Sequence, residues 1–133
     1  MGLFEWIGES FNPGPVGTVE RDVENDWQPR NKFIIWLLTV LGIGMFSFFL
    51  WGVLQWNNKW EGVLLLTLYL FLSWFLTPKP DHRNMGWFGG TIDNPFRISD
   101  DFNRAQLFFA AFLIPGKIIL HSAQTIINTI RAL

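Results

Sequence analysis

Polar and apolar positions are distributed unevenly along this chain. From Phe33 to Trp56 no residue is charged, and the run FIIWLLTVLGIGMFSFFLWGVLQW is apolar on every face of a helix. At 1.5 Å per residue it makes a helix of about 36 Å, enough to cross a hydrocarbon core about 30 Å thick with some tilt. A second run, Gly62 to Leu76, reads GVLLLTLYLFLSWFL. Counted over residues 60–77 it predicts a slightly short span of about 27 Å. Only Asn57-Asn58-Lys59 separates the spans 33–56 and 60–77, too short for anything but a tight turn. The pattern therefore predicts an antiparallel two-helix transmembrane hairpin over residues 33–77, with helices at 33–56 and 60–77. Pro78-Lys79-Pro80 closes the second helix, because proline removes a donor and clashes with the preceding turn.

The flanks are patterned differently. Leu3, Phe4, Ile7 and Phe11 recur at helical spacing with Glu5 and Glu9 opposite, which predicts a short amphipathic helix over residues 2–11. Its polar face is acidic where an anionic membrane surface favours Lys and Arg, so a protein partner is the expected contact. Asn12-Pro13-Gly14-Pro15-Val16-Gly17 reads as an extended linker, and residues 18–31 are polar with no clear period. Pro29 disfavours helix immediately before it. Residues 1–32 thus form an N-terminal extension on the cytoplasmic side.

Residues 78–98 read as a connecting loop punctuated by Gly86, Gly89, Gly90 and Pro95, with an Asx-type turn at Asp93-Asn94-Pro95. Trp87, Phe88 and Phe96 are too many aromatics for a merely solvated loop, and are expected to pack on the membrane surface or on another subunit. Ser99 is a good N-cap, and Asp100 and Asp101 complement the helix dipole in the first turn. The C-terminal helix, residues 99–133, is apolar over 105–114, is expected to kink at Pro115-Gly116-Lys117, and is amphipathic beyond. Its apolar core, residues 105–120, would cover only about 24 Å and contains Lys117. A Lys at the centre of a span costs about 2.5–3.5 kcal/mol. The expectation is a helix lying in the interface or re-entering against a partner, not a third crossing.

Composition agrees with an all-α membrane protein. Half the residues are hydrophobic and 16% are charged, against roughly 25% charged in ordinary globular domains. A net charge of −1 and the absence of a long basic run give no footprint for nucleic acid. Lys and Arg set the orientation. Arg21, Arg30 and Lys32 precede the first helix and Lys79, Arg83, Arg97 and Arg104 follow the second, whereas the turn holds Lys59 alone. Both termini are thus expected on the cytoplasmic, matrix or stromal side of a bacterial or organellar inner membrane, in a multi-pass chain. Trp51, Trp56 and Trp60 cluster at the turn end and Trp36 and Trp74 at the other, a belt of anchors at both interfaces. The N-terminus lacks the basic region and apolar run of a cleavable signal, and Trp6 stands where a myristoylation pattern needs Ser or Thr.

Candidate chemistry is sparse. With no cysteine, thiolate metal sites, iron–sulfur clusters and thiol nucleophiles are excluded. Asp81, His82, Asp93 and His121 are the groups from which a metal or haem site would have to be assembled, yet none has ligand spacing to another. The serines lack the Gly-x-Ser-x-Gly elbow, and Gly86–Gly90 lacks the P-loop pattern. Apart from Glu61 at the turn end of the second, neither predicted span holds an Asp, Glu, Lys, Arg or His, which argues against a transport path through this chain alone. Ser47 and Ser73 inside the spans are expected to bond backbone carbonyls or a neighbouring helix, and Gly42 to serve packing or a kink. The expected function is that of an accessory, structural or assembly subunit of a larger integral membrane complex, not an enzyme and without a cofactor or metal. Its partners would be the bilayer and other membrane subunits, met through Trp87, Phe88, Asp93, Asn94, Phe96, Asp100, Asp101 and Arg104. A self-assembling scaffold or channel-like homo-oligomer is one alternative. A pigment-, haem- or metal-binding protein using His82 and His121 is the other.

Overall fold

The structure, a computed structural model, describes residues 3–21, 31–85 and 98–132. Of these, 76% are helical, in four helices. In chain order the elements are α1 (Leu3–Phe11), β1 (Thr18–Arg21), α2 (Lys32–Gln55), α3 (Lys59–Phe75), β2 (Leu76–Lys79) and α4 (Ser99–Arg131). They fall into two compact units, one of residues 3–21, 77–85 and 98–112 and the other of residues 31–76 and 113–132.

In the first unit, α1 covers the amphipathic segment read from the sequence, and residues 13–17 are irregular, as their Pro and Gly content dictates. β1 pairs with β2 in a two-stranded sheet, which the sequence pattern did not predict. Residues 76–79 were expected to end a helix and begin a loop. They are instead extended, and α3 stops at Phe75, two residues short of the expected Thr77. Pro78 explains both outcomes. It cannot continue a helix and biases Thr77 toward extended backbone. A two-stranded ribbon leaves each strand an unpaired edge on which proline is tolerated.

In the second unit, α2 is capped by Asn31, whose side chain accepts from the Phe33 N–H at 3.0 Å. Only Gly42 and Val53 of its 24 residues are buried. Residues 56–58 separate it from α3, and the two helices touch near that connection: Gly62 lies against Val53, and the Phe49 and Tyr69 ring centroids are 5.7 Å apart. Contacts whose residue numbers rise in one helix as they fall in the other define antiparallel neighbours. Ser47 and Ser73 donate to the carbonyls of Ile43 and Tyr69, 2.9 and 2.8 Å away.

α4 is a single helix of 33 residues with Pro115 inside it. Among the described residues, α2 and α4 are the two helices long and apolar enough to cross a membrane. α3, at 17 residues, is shorter than the expected second span. α4 residues 118–130 run alongside the first half of α2 in the antiparallel sense, with Ile118 and Ser122 against Gly42 and Ile126 and Ile130 facing Lys32 to Thr39.

Candidate functional site

The first unit is organised around a buried polar junction at the start of α4. Glu9, on the last turn of α1, receives four donors. Its Oε1 accepts from Gly14 N at 2.8 Å, and its Oε2 accepts from Ile98 N (3.1 Å), Ser99 N (3.2 Å) and Ser99 Oγ (2.9 Å). Burial raises the carboxyl's proton affinity. The N–H groups of Gly14 and Ser99, the Ser99 hydroxyl and the Ile98 N–H outweigh it and hold Glu9 below the usual carboxylate range. The backbone N–H groups opening α4 are therefore satisfied by a carboxylate from another helix, a favourable charge at the positive end of the dipole. Ser99, the expected cap, donates its hydroxyl to Glu9 and accepts from Asn84 Nδ2 at 2.7 Å.

One turn along α4, Asn103 is fully enclosed and makes four hydrogen bonds to backbone. Its Oδ1 accepts from Gly17 N (2.7 Å) and Asp81 N (3.2 Å), and its Nδ2 donates to Pro15 O (2.9 Å) and Asn84 O (2.7 Å). Gln106 Nε2 donates to Gly17 O at 2.9 Å, and Asn84 Nδ2 reaches Pro15 O at 3.0 Å. An irregular linker cannot satisfy its own backbone, and here three side-chain amides do so. The sequence offered no periodic signal for Asn84, Asn103 or Gln106. The available hint was polar residues on the helix face following a Pro/Gly linker that needs partners.

A second junction lies where α4 meets α3 in the second unit. Pro115 has no N–H to donate into the helical ladder. The next residue's N–H, on Gly116, donates to the hydroxyl of Tyr69, the only tyrosine, at 2.9 Å. A Cβ on Gly116 would collide with Ser73 Oγ and would lie 2.6 Å from Ser73 Cβ. Gly116 thus admits α3 to the α4 backbone, as Gly42 admits α4 to α2.

The expected interaction residues separate into three groups. Trp87, Phe88, Asp93, Asn94 and Phe96 lie outside the described residues. Asp100 is fully buried in the first unit. Asp101 and Arg104 face each other one turn apart on α4 at 3.5 Å. The five Trp anchors, Trp36, Trp51, Trp56, Trp60 and Trp74, are each more than half exposed. His82 belongs to the first unit, its Nδ1 3.2 Å from Met85 Sδ, and His121 is buried in the second. Among the described residues, no three His, Asp or Glu side chains come together as a metal would require. No family model, characterised protein or solved structure is detectably similar to this chain.

Proposed function

We propose that this chain is an accessory, structural or assembly subunit of a larger integral membrane complex. α2 and α3 form its transmembrane hairpin, and both termini lie on the cytoplasmic, matrix or stromal side. One observation carries the reading: among the described residues, the distribution of polarity is reversed. The buried side chains are mostly polar (Ser73, Asn84, Ser99, Asp100, Asn103, His121 and Ser122), and the buried hydrophobics are only Val53, Met85, Leu113 and Ile119. The exposed set includes Phe33, Trp36, Leu37, Phe48, Trp51 and Leu64 along α2 and α3. Isolated exposed hydrophobics need no explanation, but a continuous apolar exterior marks a surface covered by lipid or protein.

The partner-facing part of the proposal rests on α1. Its Leu3, Phe4, Ile7 and Phe11 are 74%, 75%, 44% and 87% exposed, although Glu9 on the opposite face is tied into the junction, and Trp6 beside Glu9 is 68% exposed. α1 is thereby presented rigidly with its apolar side uncovered, and its acidic turn disfavours an anionic lipid surface. A neighbouring subunit is the better cover. In this reading α4, whose later residues run alongside α2, re-enters the membrane and does not cross it.

Extraction in a mild detergent followed by native electrophoresis tests the proposal. Co-migration with other membrane proteins, lost on Phe4→Asp with Trp6→Asp, is expected. Migration of the native chain solely as a lone small species would overturn it. A defined oligomer of the purified chain alone would favour the self-assembling alternative.

A further inference from the structure

In the second unit, a groove of about 390 Å³ opens between the first turns of α2 and the last turns of α4, walled by Ile35, Trp36, Thr39, Ile126 and Ile130. Lys32 and Thr129 belong both to this groove and to a more polar recess of about 660 Å³ that continues it past His121, Gln124 and Asn128. The hydroxyls do not make the groove wall a polar donor surface. Thr39, Thr125 and Thr129 donate to their own helices at Ile35 O, His121 O and Thr125 O, at 2.8, 2.9 and 2.8 Å, leaving their methyl groups and acceptor oxygens. The α2 wall is therefore apolar in practice over Ile35 to Thr39, about 6 Å of helix. The recess that continues it is lined by Lys32, Gln124 and Asn128 among others, and none of its lining residues is acidic.

An apolar slot ending in a cation and amide donors, at the end of a predicted span, matches one ligand chemistry. We infer that this groove seats an anionic glycerophospholipid, one acyl chain against Trp36, Ile126 and Ile130 and the phosphate beside Lys32. The inference deepens the membrane reading above and rests on it. A zwitterionic lipid would fill the slot equally well but bring its own cation to Lys32, so the site selects by headgroup charge. Lys32 supplies the charge term and the isoleucines the chain term, and the two are separable by mutation.

The test is native mass spectrometry of the detergent-purified full chain with dioleoyl phosphatidylglycerol or dioleoyl phosphatidylcholine. Wild type should retain the anionic lipid preferentially. Lys32→Gln should cut that preference about fivefold, the worth of one cation near an anionic headgroup, while leaving binding of the zwitterionic lipid intact. Ile126→Trp, which fills the slot at a surface position, should weaken both lipids. Lys59→Gln, at the start of α3 and outside the groove, should change neither. Equal retention of the two lipids by wild type, or a loss on Lys59→Gln matching that on Lys32→Gln, would overturn the site while leaving the membrane assignment standing. Release of the chain from membranes by alkaline carbonate would instead remove the membrane assignment, and the lipid site with it.

Discussion

Replacing Asn103 with Ala should unfasten the N-terminal linker from α4. The substitution removes two acceptances and two donations at once, from Gly17 N, Asp81 N, Pro15 O and Asn84 O. These four groups do not lose equally. Pro15 is exposed, so water can replace Asn103 there; Asn84 is buried, while Gly17 and Asp81 are both half-buried, so water serves each of these two only in part and together they count as about one further buried group. Leaving a buried backbone group unsatisfied costs about 1–3 kcal/mol. Two such groups, allowing for partial relaxation, give about 2–4 kcal/mol. The junction's opening equilibrium should therefore shift by about 30-fold to several hundred-fold, at 1.4 kcal/mol per tenfold. Hydrogen exchange on the chain in detergent or nanodiscs reads this directly, because local opening is reported amide by amide. Protection should fall across residues 12–17 and at Asp81, with the amides of α2 unaffected. Asn103→Asp separates the two halves of the interaction. It keeps an acceptor for Gly17 and Asp81 but sets a carboxylate against the carbonyls of Pro15 and Asn84, and should be at least as damaging. Unchanged protection in Asn103→Ala, or a loss confined to the Gly17 amide, would refute the argument that this one amide closes the junction.

Three further outcomes follow from the same geometry. Because the Glu9 pKa is lowered on folding, its contribution is complete above the unfolded value of 4.5 and is lost as pH falls through the lower folded value. Protection of the Ser99 and Gly14 amides should decline below about pH 4.5, and Glu9→Gln should lower protection at neutral pH and flatten that decline. Gly42→Ala places a methyl 2.5 Å from Ser122 Oγ and 2.7 Å from Ile118 O and should destabilise by about 1–3 kcal/mol. Gly44→Ala meets nothing within 4 Å and should be neutral or stabilising by up to about 1 kcal/mol, so equal effects in a detergent-denaturation assay would contradict the packing described. Tyr69→Phe deletes the acceptor for the Gly116 N–H and should cost about 0.6 kcal/mol, at most about 1.7, if the contact lies in lipid.

The legible parts of the fold are those governed by local rules. The 24 residues of α2 follow from an unbroken apolar run, α1 from a helical period, and the irregular backbone of residues 13–17 from Pro and Gly. The pairing of β1 with β2 was not legible, because Thr18–Arg21 is four exposed residues whose partner lies far along the chain. Pro115 was legible as a position inside the C-terminal helix, but the partner of the next N–H was not, because the Tyr69 hydroxyl that accepts from it belongs to another helix. The junction residues Glu9, Asn84 and Asn103 escaped notice for the same reason. Each looks like ordinary surface polarity until the linker backbone it satisfies is placed beside it.

These long-range polar contacts bear on how such a chain chooses one structure. If lipid covers the apolar exterior, burying Leu or Phe between helices gains little over leaving it in contact with acyl chains. Helix association then depends on close backbone approach and on hydrogen bonds. The second unit has that form: α4 meets α2 at Gly42 and α3 at Gly116, with Ser73, Ser122 and Tyr69 at those contacts. Outside lipid the constraint changes, because an exposed linker can bond water equally well. There the four-donor site at Glu9 and the enclosed Asn103 make a single arrangement preferable to solvation. On this argument, conservative changes among the exposed apolar residues of α2 should be widely tolerated. Small changes at Asn103 or Gly42 should not, with Tyr69→Phe milder than either, although none of the three stands out as chemistry in the sequence.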